Sequence, residues 1–277
     1  MRILIIGGDE IVGRVLVPYL YKQTRYEVFY TTKRKGNEGK GLFLDPTDAV
    51  MVEKLVEIIT PDVIVNGTSI MNDMARLQEI EAYRINGLLP HQLAKLAEQR
   101  HIRLIHMSTD GVFSGNRGCH EERHVPEGTS VYAKTKALGE IKDSPHLTIR
   151  ASLIGPEGGE GIGLLDWFFR QKEVRGFTHV PWNGLTSLEL AKFIHYVLEH
   201  GRRLSGIIHL TSPERISKYD LLLLIQRLFE RQDIAVRPND TIEMDRTLKS
   251  TRRDVDYQVP SHLVMLTELQ DWMRSEL

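Results

Sequence analysis

The sequence predicts an α/β protein, a doubly wound parallel sheet with a smaller lobe interleaved into it. Short, nearly all-apolar runs alternate with longer stretches of helical spacing, the pattern of strands covered on both faces by crossover helices. The first run, Arg2-Ile3-Leu4-Ile5-Ile6, ends directly in Gly7-Gly8, where a strand must turn sharply into a helix. Polar residues Asn66, Ser108 and Arg150 stand at the ends of later runs, the sheet edge at which ligands of such folds collect.

The elements follow in order. After the glycine turn, 11–22 has helical spacing, 27–32 reads as a second strand and 41–44 as a short third one before Asp45-Pro46. A helix over 48–59, a strand over 62–66 and a long helix over 73–99 come next, with Pro90 marking a kink or break. The strand 102–107 leads through a loop rich in Gly, Arg and Glu to a helix carrying Tyr132 and Lys136, then to a strand over 147–150. Beyond Arg150 the alternation weakens. Gly155-Pro156-Glu157-Gly158-Gly159 is a loop, 163–171 a helix whose Trp167, Phe168 and Phe169 suit core or interface, and 188–198 an amphipathic helix. A strand over 206–210 is expected to rejoin the main sheet, with helices over 217–230 and 262–273 completing the chain. Without repeats or low-complexity linkers, the second lobe is threaded into the first.

Composition narrows the functions. A length of 277 residues, 41% of them hydrophobic, suits one large or two modest domains with a real core. A net charge of -1 with acids and bases interspersed speaks against nucleic-acid or membrane-surface partners. The apolar run at 3–6 is too short for a signal-peptide core, and no stretch approaches a membrane span. The single cysteine, Cys119, permits no intrachain disulfide and fits a reducing compartment, so a cytoplasmic location is expected.

Chemistry concentrates around Tyr132-Ala133-Lys134-Thr135-Lys136. Residues four apart share a helix face, so the Tyr132 and Lys136 heads can meet. An ammonium there favours the phenolate and spares donors for a sugar hydroxyl. Of nine tyrosines only Tyr132 has lysine four residues on. Ser108-Thr109-Asp110, ending a strand, offers a hydroxyl to orient a carbonyl while Tyr132 supplies a proton. Gly7, Asp9, Ile11 and Val12 lie in a strand-to-helix turn with the spacing of a dinucleotide pyrophosphate site, GxxGxxG, except that Glu10 fills the middle position. Where an NAD-preferring protein would carry an acid, this chain has Thr31-Thr32-Lys33-Arg34-Lys35, which favours the 2'-phosphate of NADPH, NADH being the second choice. Asp45 is placed to meet the adenine edge.

Other constellations carry less. Cys119-His120-Glu121-Glu122 and His124 lack the paired short spacings of structural zinc, so no metal is expected. Asn66-Gly67-Thr68 fits a glycosylation sequon but ends a buried strand. No Gly-x-Ser-x-Gly elbow suggests a hydrolase.

The glycine turn, Val65-Asn66-Gly67-Thr68, Arg84-Ile85-Asn86, Ser108 to Gly115, Tyr132-x-x-x-Lys136-x-x-Gly139-Glu140 and Ile149-Arg150 resemble the extended short-chain dehydrogenase/reductase superfamily. More narrowly they resemble the dTDP-4-dehydrorhamnose reductase family. The resemblance implies a Rossmann-like fold and NAD(P)H-dependent reduction of the 4-keto group of a nucleotide-linked deoxysugar, with Thr109, Tyr132 and Lys136 as catalytic positions. It implies cofactor contacts from Gly7, Asp9, Ile11, Val12, Lys33, Arg34, Asp45, Asn66, Gly67, Thr68, Ser108, Tyr132 and Lys136. Substrate contacts fall on Asp110, Val112, Phe113, Arg150, Leu153 and Arg246. Residues 1–151 and about 180–211 then form the dinucleotide-binding domain, and about 152–179 with 212–277 the nucleotide-sugar-binding lobe. Three positions depart from the family pattern: Glu10, Gly111 where Tyr is frequent, and Leu153 where a Trp is expected beside the sugar. Alternatives are an epimerase or dehydratase on the same scaffold, and a non-catalytic cofactor-binding regulatory subunit. A homodimer is an open possibility.

Overall fold

A computed structural model of the protein describes residues 1–33, 41–142, 144–157, 163–201 and 203–276. The strands are β1 (Arg2–Ile6), β2 (Glu27–Thr32), β3 (Leu42–Phe43), β4 (Val63–Asn66), β5 (Arg103–Ser108), β6 (Leu147–Arg150), β7 (Leu153–Ile154), β8 (Glu173–His179), β9 (Pro181–Trp182), β10 (Leu185–Thr186), β11 (Gly206–His209), β12 (Ile216–Ser217) and β13 (Ala235–Glu243). Seven form one sheet in the order β11-β6-β5-β4-β1-β2-β3. Every pairing in it is parallel. It is an α/β Rossmann-like fold, and β11 rejoins the main sheet as expected.

Alternating side chains explain why helices cover both faces. Ile3, Ile5, Val65, Ile105 and Ile149 belong to the larger core, while Leu4, Ile6, Ile64 and Leu104 belong to a second one on the other side. Helix α1 (Gly13–Gln23) contributes Val15, Leu16 and Leu20 to the first, and α2 (Ala49–Ile59), capped by Asp48, contributes Val52 and Val56 to the second.

The region expected as one long helix is four pieces: α3 (Asn72–Leu77), α4 (Glu79–Ala82), a π-helical stretch Tyr83–Leu88 and α5 (Leu89–Gln99). Gln78 leaves helical geometry at φ -118° and ψ 53°. Leu89 N donates to Arg84 O, five residues back, and Pro90 has no N–H to resume the ladder. The freed Asn86 carbonyl lies where a Cβ on Gly139 would come within 2.0 Å of it, so glycine is needed there. Helix α6 (Val131–Leu138), carrying the Tyr-Lys pair, packs against this π-helical stretch.

The second half adds α7 (Leu164–Phe169), α8 (Ser187–Glu199), α9 (Lys218–Leu228) and α10 (His262–Glu276). Strands β8 and β13, which the sequence does not announce, pair in parallel apart from the main sheet. Residues 245–251 are stitched to the loop after β5. Asp245 N donates to Gly115 O (2.7 Å), His120 N to Thr247 O (2.9 Å) and Lys249 N to His120 O (2.8 Å). Asn183 both donates to Leu248 O and accepts from Leu248 N. The Glu122 carboxylate takes Thr251 N and Oγ1 as well as His209 N. Among the described residues no helix is long and apolar enough to cross a membrane, and no group of three or more His, Cys, Asp and Glu is arranged to hold a metal.

Candidate active site

The glycine turn is built by close approach. Gly7 has φ +87°, and a Cβ there would lie 3.0 Å from the Thr68 backbone; one on Gly13 would lie 2.3 Å from Gly7 O. Only residues without a side chain fit both places. Because residues 7–12 are used in this turn, α1 starts at Gly13 and not at Ile11. Gly7, Asp9, Thr31, Thr32, Lys33, Leu44, Pro46 and Thr68 line a narrow recess beside it, where the sequence places the adenosine end of a cofactor. Asp9 Oδ2 accepts from Thr32 Oγ1 at 2.9 Å, while its buried Oδ1 has no hydrogen-bond partner. Asp45 stands between Leu44 and Pro46, but its carboxylate accepts from Thr47 N (2.9 Å) and Oγ1 (2.7 Å) within the turn. Arg34 and Lys35 lie outside the described residues, as does the Gly158-Gly159 end of the predicted loop.

Glu10 turns inward. Its carboxylate accepts from Thr68 Oγ1 (2.6 Å) and Ser69 N (2.8 Å), and Lys33 Nζ lies 2.8 Å from Oε1. It therefore ties the glycine turn to the loop after β4 and engages the lysine expected to meet a 2'-phosphate. Lys33 is 42% exposed, so the ion pair itself contributes at most about 1 kcal/mol. Glu10→Gln keeps one acceptor oxygen for Ser69 N and turns an NH2 toward the Thr68 hydroxyl, which can accept from it, while Lys33 is freed. NADPH should then bind severalfold more tightly at low salt, with the gain shrinking as salt is added, because such repulsion is screened over about 10 Å at 0.1 M. Calorimetric titration reads this, and weaker binding would make Glu10 a support of the turn.

A cleft of about 800 Å³ opens beside the carboxyl ends of β4 and β5. It brings together Ile11, Val12, Gly67, Ser108, Thr109, Asp110, Tyr132, Lys136, Leu153 and Arg246 from the sequence-predicted set. Helix α6 starts at Ser130, whose Oγ accepts from Ala133 N (3.1 Å), and this fixes Tyr132 and Lys136 on one face. Lys136 is buried and its Nζ donates to Met107 O at 2.6 Å. Burial brings its pKa down to about 8, against the opposing charges of Glu140 and Glu10. Tyr132 is pushed up to about 12, chiefly by burial, with the hydroxyl of Thr109 as the opposing contact. The sequence expectation that Lys136 draws the phenol toward working pH is thus corrected: desolvation wins and the phenol is held neutral, as a proton donor. Thr109 Oγ1 donates to Asp110 Oδ1 (3.1 Å) and accepts from Gly111 N (3.0 Å). A Cβ on Gly111 would lie 3.3 Å from both Thr109 Oγ1 and Tyr132 Cε1, so glycine lets the ring sit close.

Several predicted site residues face elsewhere. Val112, Phe113 and Arg150 are buried and do not line the cleft. Arg150 forms a two-point ion pair with Glu140, Nε to Oε1 at 2.6 Å and Nη2 to Oε2 at 2.7 Å. Ser108 Oγ donates to the same carboxylate at 2.8 Å. The Phe113 ring lies under the Arg150 guanidinium (5.1 Å) and stacks on His120 (3.9 Å). Glu140 thereby ties the ends of β5 and β6 together, because a strand-end arginine with a buried carboxylate opposite is drawn to it. The Asn66 side chain is likewise buried, with Nδ2 3.2 Å from His106 Nδ1, whereas Thr68 serves Glu10. Asn86 clamps the loop after β4, accepting from Ile70 N and donating to Ile70 O, both at 2.8 Å. Unforeseen in the cleft are Trp182, whose Nε1 donates to Ser152 Oγ (2.9 Å), Glu157 and Lys218. Their contributions arise from how the second lobe folds back, which no local spacing announces.

Known proteins resemble this chain along most of its length. A dTDP-4-keto-6-deoxy-D-glucose reductase of Streptomyces niveus is 30% identical over 246 residues, covering 86% of this chain and 82% of that protein. A dTDP-4-dehydrorhamnose reductase of Aggregatibacter actinomycetemcomitans is 28% identical over 236 residues, covering 81% and 78%. The crystal structure of a dTDP-4-dehydrorhamnose reductase from Bacillus anthracis in complex with NADP superposes with a TM-score of 0.82 at 19% identity, over 99% of each chain. The family described as RmlD substrate binding domain matches residues 1–272, and the chain belongs to that family.

Proposed function

We propose that this protein is an NADPH-dependent reductase of the 4-keto group of a nucleotide-linked deoxysugar. The observation that carries the reading is that Tyr132 and Lys136, one turn apart on α6, line one cleft with Thr109 and with Ile11 and Val12 of the glycine turn, Lys136 being anchored on Met107 O. Gly7, Ile11, Val12, Gly67, Thr68, Lys33 and Arg34 are the residues that would hold the dinucleotide. NADPH, when bound, supplies the hydride. Thr109 and Tyr132 orient the carbonyl oxygen, and Tyr132 gives its proton to that oxygen as negative charge develops there. Lys136 is positioned to hold a ribose hydroxyl and to stabilise the phenolate left behind. Asp110, Leu153 and Arg246 face the sugar nucleotide. Residues 1–151 and about 180–211 carry the cofactor site, and about 152–179 with 212–277 cover the sugar.

The test follows nicotinamide absorbance with NADPH, NADH and a panel of nucleotide 4-keto sugars. Stoichiometric oxidation is expected; turnover without net oxidation would mean an epimerase, and binding without turnover a regulatory subunit. NADPH should be preferred over NADH by about tenfold or more, since one charge-assisted contact to phosphate contributes roughly 1.5 to 3 kcal/mol. Replacing Lys33 and Arg34 together by Ala should erase the preference, and equal affinity in the unmodified protein would refute it.

A further inference from the structure

A second lysine stands in the cleft that the reaction outlined above leaves unused. Lys218 is the first residue of α9 and directly follows β12, whose antiparallel register pairs Ile216 with Trp182 and Ser217 with Pro181. Its own N–H extends that ladder to Val180 O at 3.0 Å. The backbone is therefore fixed, and the side chain lies over the indole of Trp182, with Nζ 4.8 Å from the ring centroid. Lys218, Trp182, Pro181 and Val180 line the same cleft as Thr109, Asp110 and Tyr132.

Other cations of this cleft are placed differently. Lys136 donates to Met107 O, Arg246 among the described residues commits its Nε alone, to Ser114 O at 3.4 Å, and Arg76 lies exposed on α3. Among the described residues the Lys218 ammonium makes no hydrogen bond and no ion pair. Burial brings its pKa down to about 8, the charge of Asp110 being the opposing influence. As the first residue of α9 it also sits at the positive end of the helix dipole, where a cation is disfavoured. An ammonium partly removed from water, set against a dipole, resting on a ring face and feeling the Asp110 charge only through space is stabilised when something else supplies an acceptor. The opening of the cleft is the side from which that acceptor can come.

We propose that Lys218 is an anion-binding group of the sugar-nucleotide cleft, taking an anionic oxygen that the substrate brings to the Trp182 wall. The proposal rests on the reading of this cleft as a nucleotide-sugar site. Two parts of such a ligand carry that chemistry: the diphosphate bridge, or a carboxylate on the sugar ring. In either case Lys218 selects among substrates by charge, a role separate from proton transfer at Tyr132.

Calorimetric titration without cofactor tests it, using dTDP, dTDP-glucose and UDP-glucuronate against the unmodified protein, Lys218→Met, Lys218→Gln and Lys218→Arg. Loss of about tenfold or more in affinity is expected for Met and Gln, with most of it restored by Arg, as for a charge-assisted contact. Parallel losses for dTDP and dTDP-glucose identify the diphosphate, whereas a loss confined to UDP-glucuronate identifies the sugar carboxylate. Unchanged affinity for all three ligands in Lys218→Met or in Lys218→Gln would overturn the proposal. Should Met fail to fold, Gln carries the test, with Arg as its charge control, and a loss that Arg does not restore also counts against it. Because no turnover is read, absence of NADPH oxidation would sink the reductase reading and leave this result standing. Normal oxidation with unaltered binding would sink the Lys218 assignment alone.

Discussion

Tyr132→Phe is expected to lower turnover about 100- to 10,000-fold, the usual value of a positioned general acid, while cofactor affinity stays nearly unchanged. The ring packs against a small apolar cluster of Ile70, Ala75, Ala82 and Ile85, so phenylalanine keeps the packing and removes only the proton. Because burial holds the phenol at a pKa of about 12, it is fully protonated at neutral pH, and the variant loses a donor present in essentially every molecule. Single-turnover oxidation of bound NADPH separates the chemical step from binding. A rate equal to that of the unmodified protein would remove Tyr132 from the mechanism.

The largest effect on stability is expected at Glu140. Its carboxylate takes two bonds from Arg150 and one from Ser108, and both ionic partners are buried. Glu140→Gln leaves the Arg150 guanidinium buried without a counter-charge, a loss of about 3 to 5 kcal/mol. Replacing both partners, Glu140→Leu with Arg150→Met, should recover much of it, since two apolar side chains escape the desolvation that an ion pair incurs. Urea unfolding of the two single variants and the double variant reads the coupling. A Gln variant that loses less than about 1 kcal/mol would mean that water reaches the guanidinium.

The main sheet was legible because its strands are buried on both faces and therefore read as apolar runs, as in Arg2–Ile6 and Val63–Asn66. Strands β8 and β13 were not, because β8 buries only Val174 and Gly176, and β13 is largely exposed and carries Pro238, Asn239 and Asp240, residues that read as turn. Within the site, a helical spacing of four placed Tyr132 beside Lys136 on one face, and the glycine turn followed from close approach. Direction of side chains was harder. Arg150 stands at a strand end, as a ligand-binding residue would, yet a carboxylate ten residues earlier in the chain captures it. Glu10 stood out as foreign to the turn, but its inward rotation depends on Thr68, Ser69 and Lys33, which only the folded chain brings to it. Trp182 lies in, and Lys218 directly follows, an antiparallel bridge of two residues each, too short to show periodicity.

The stitch between residues 245–251 and the loop after β5 has a consequence for where ordering is accomplished. Backbone bonds run from Asp245, Thr247 and Lys249 to Gly115 and His120, and the side chains of Asn183 and Glu122 lock the same segment. Arg246 sits inside this zipper, so the wall it offers to the cleft is fixed when the chain folds. A ligand arriving there meets a surface whose conformational entropy has already been surrendered, and the binding step is spared that loss. Loosening the zipper at Asn183 or Glu122, neither of which lines the cleft, would move the loss back into association. Ligand affinity at this wall is thereby coupled to the local stability of a segment that the ligand need never touch.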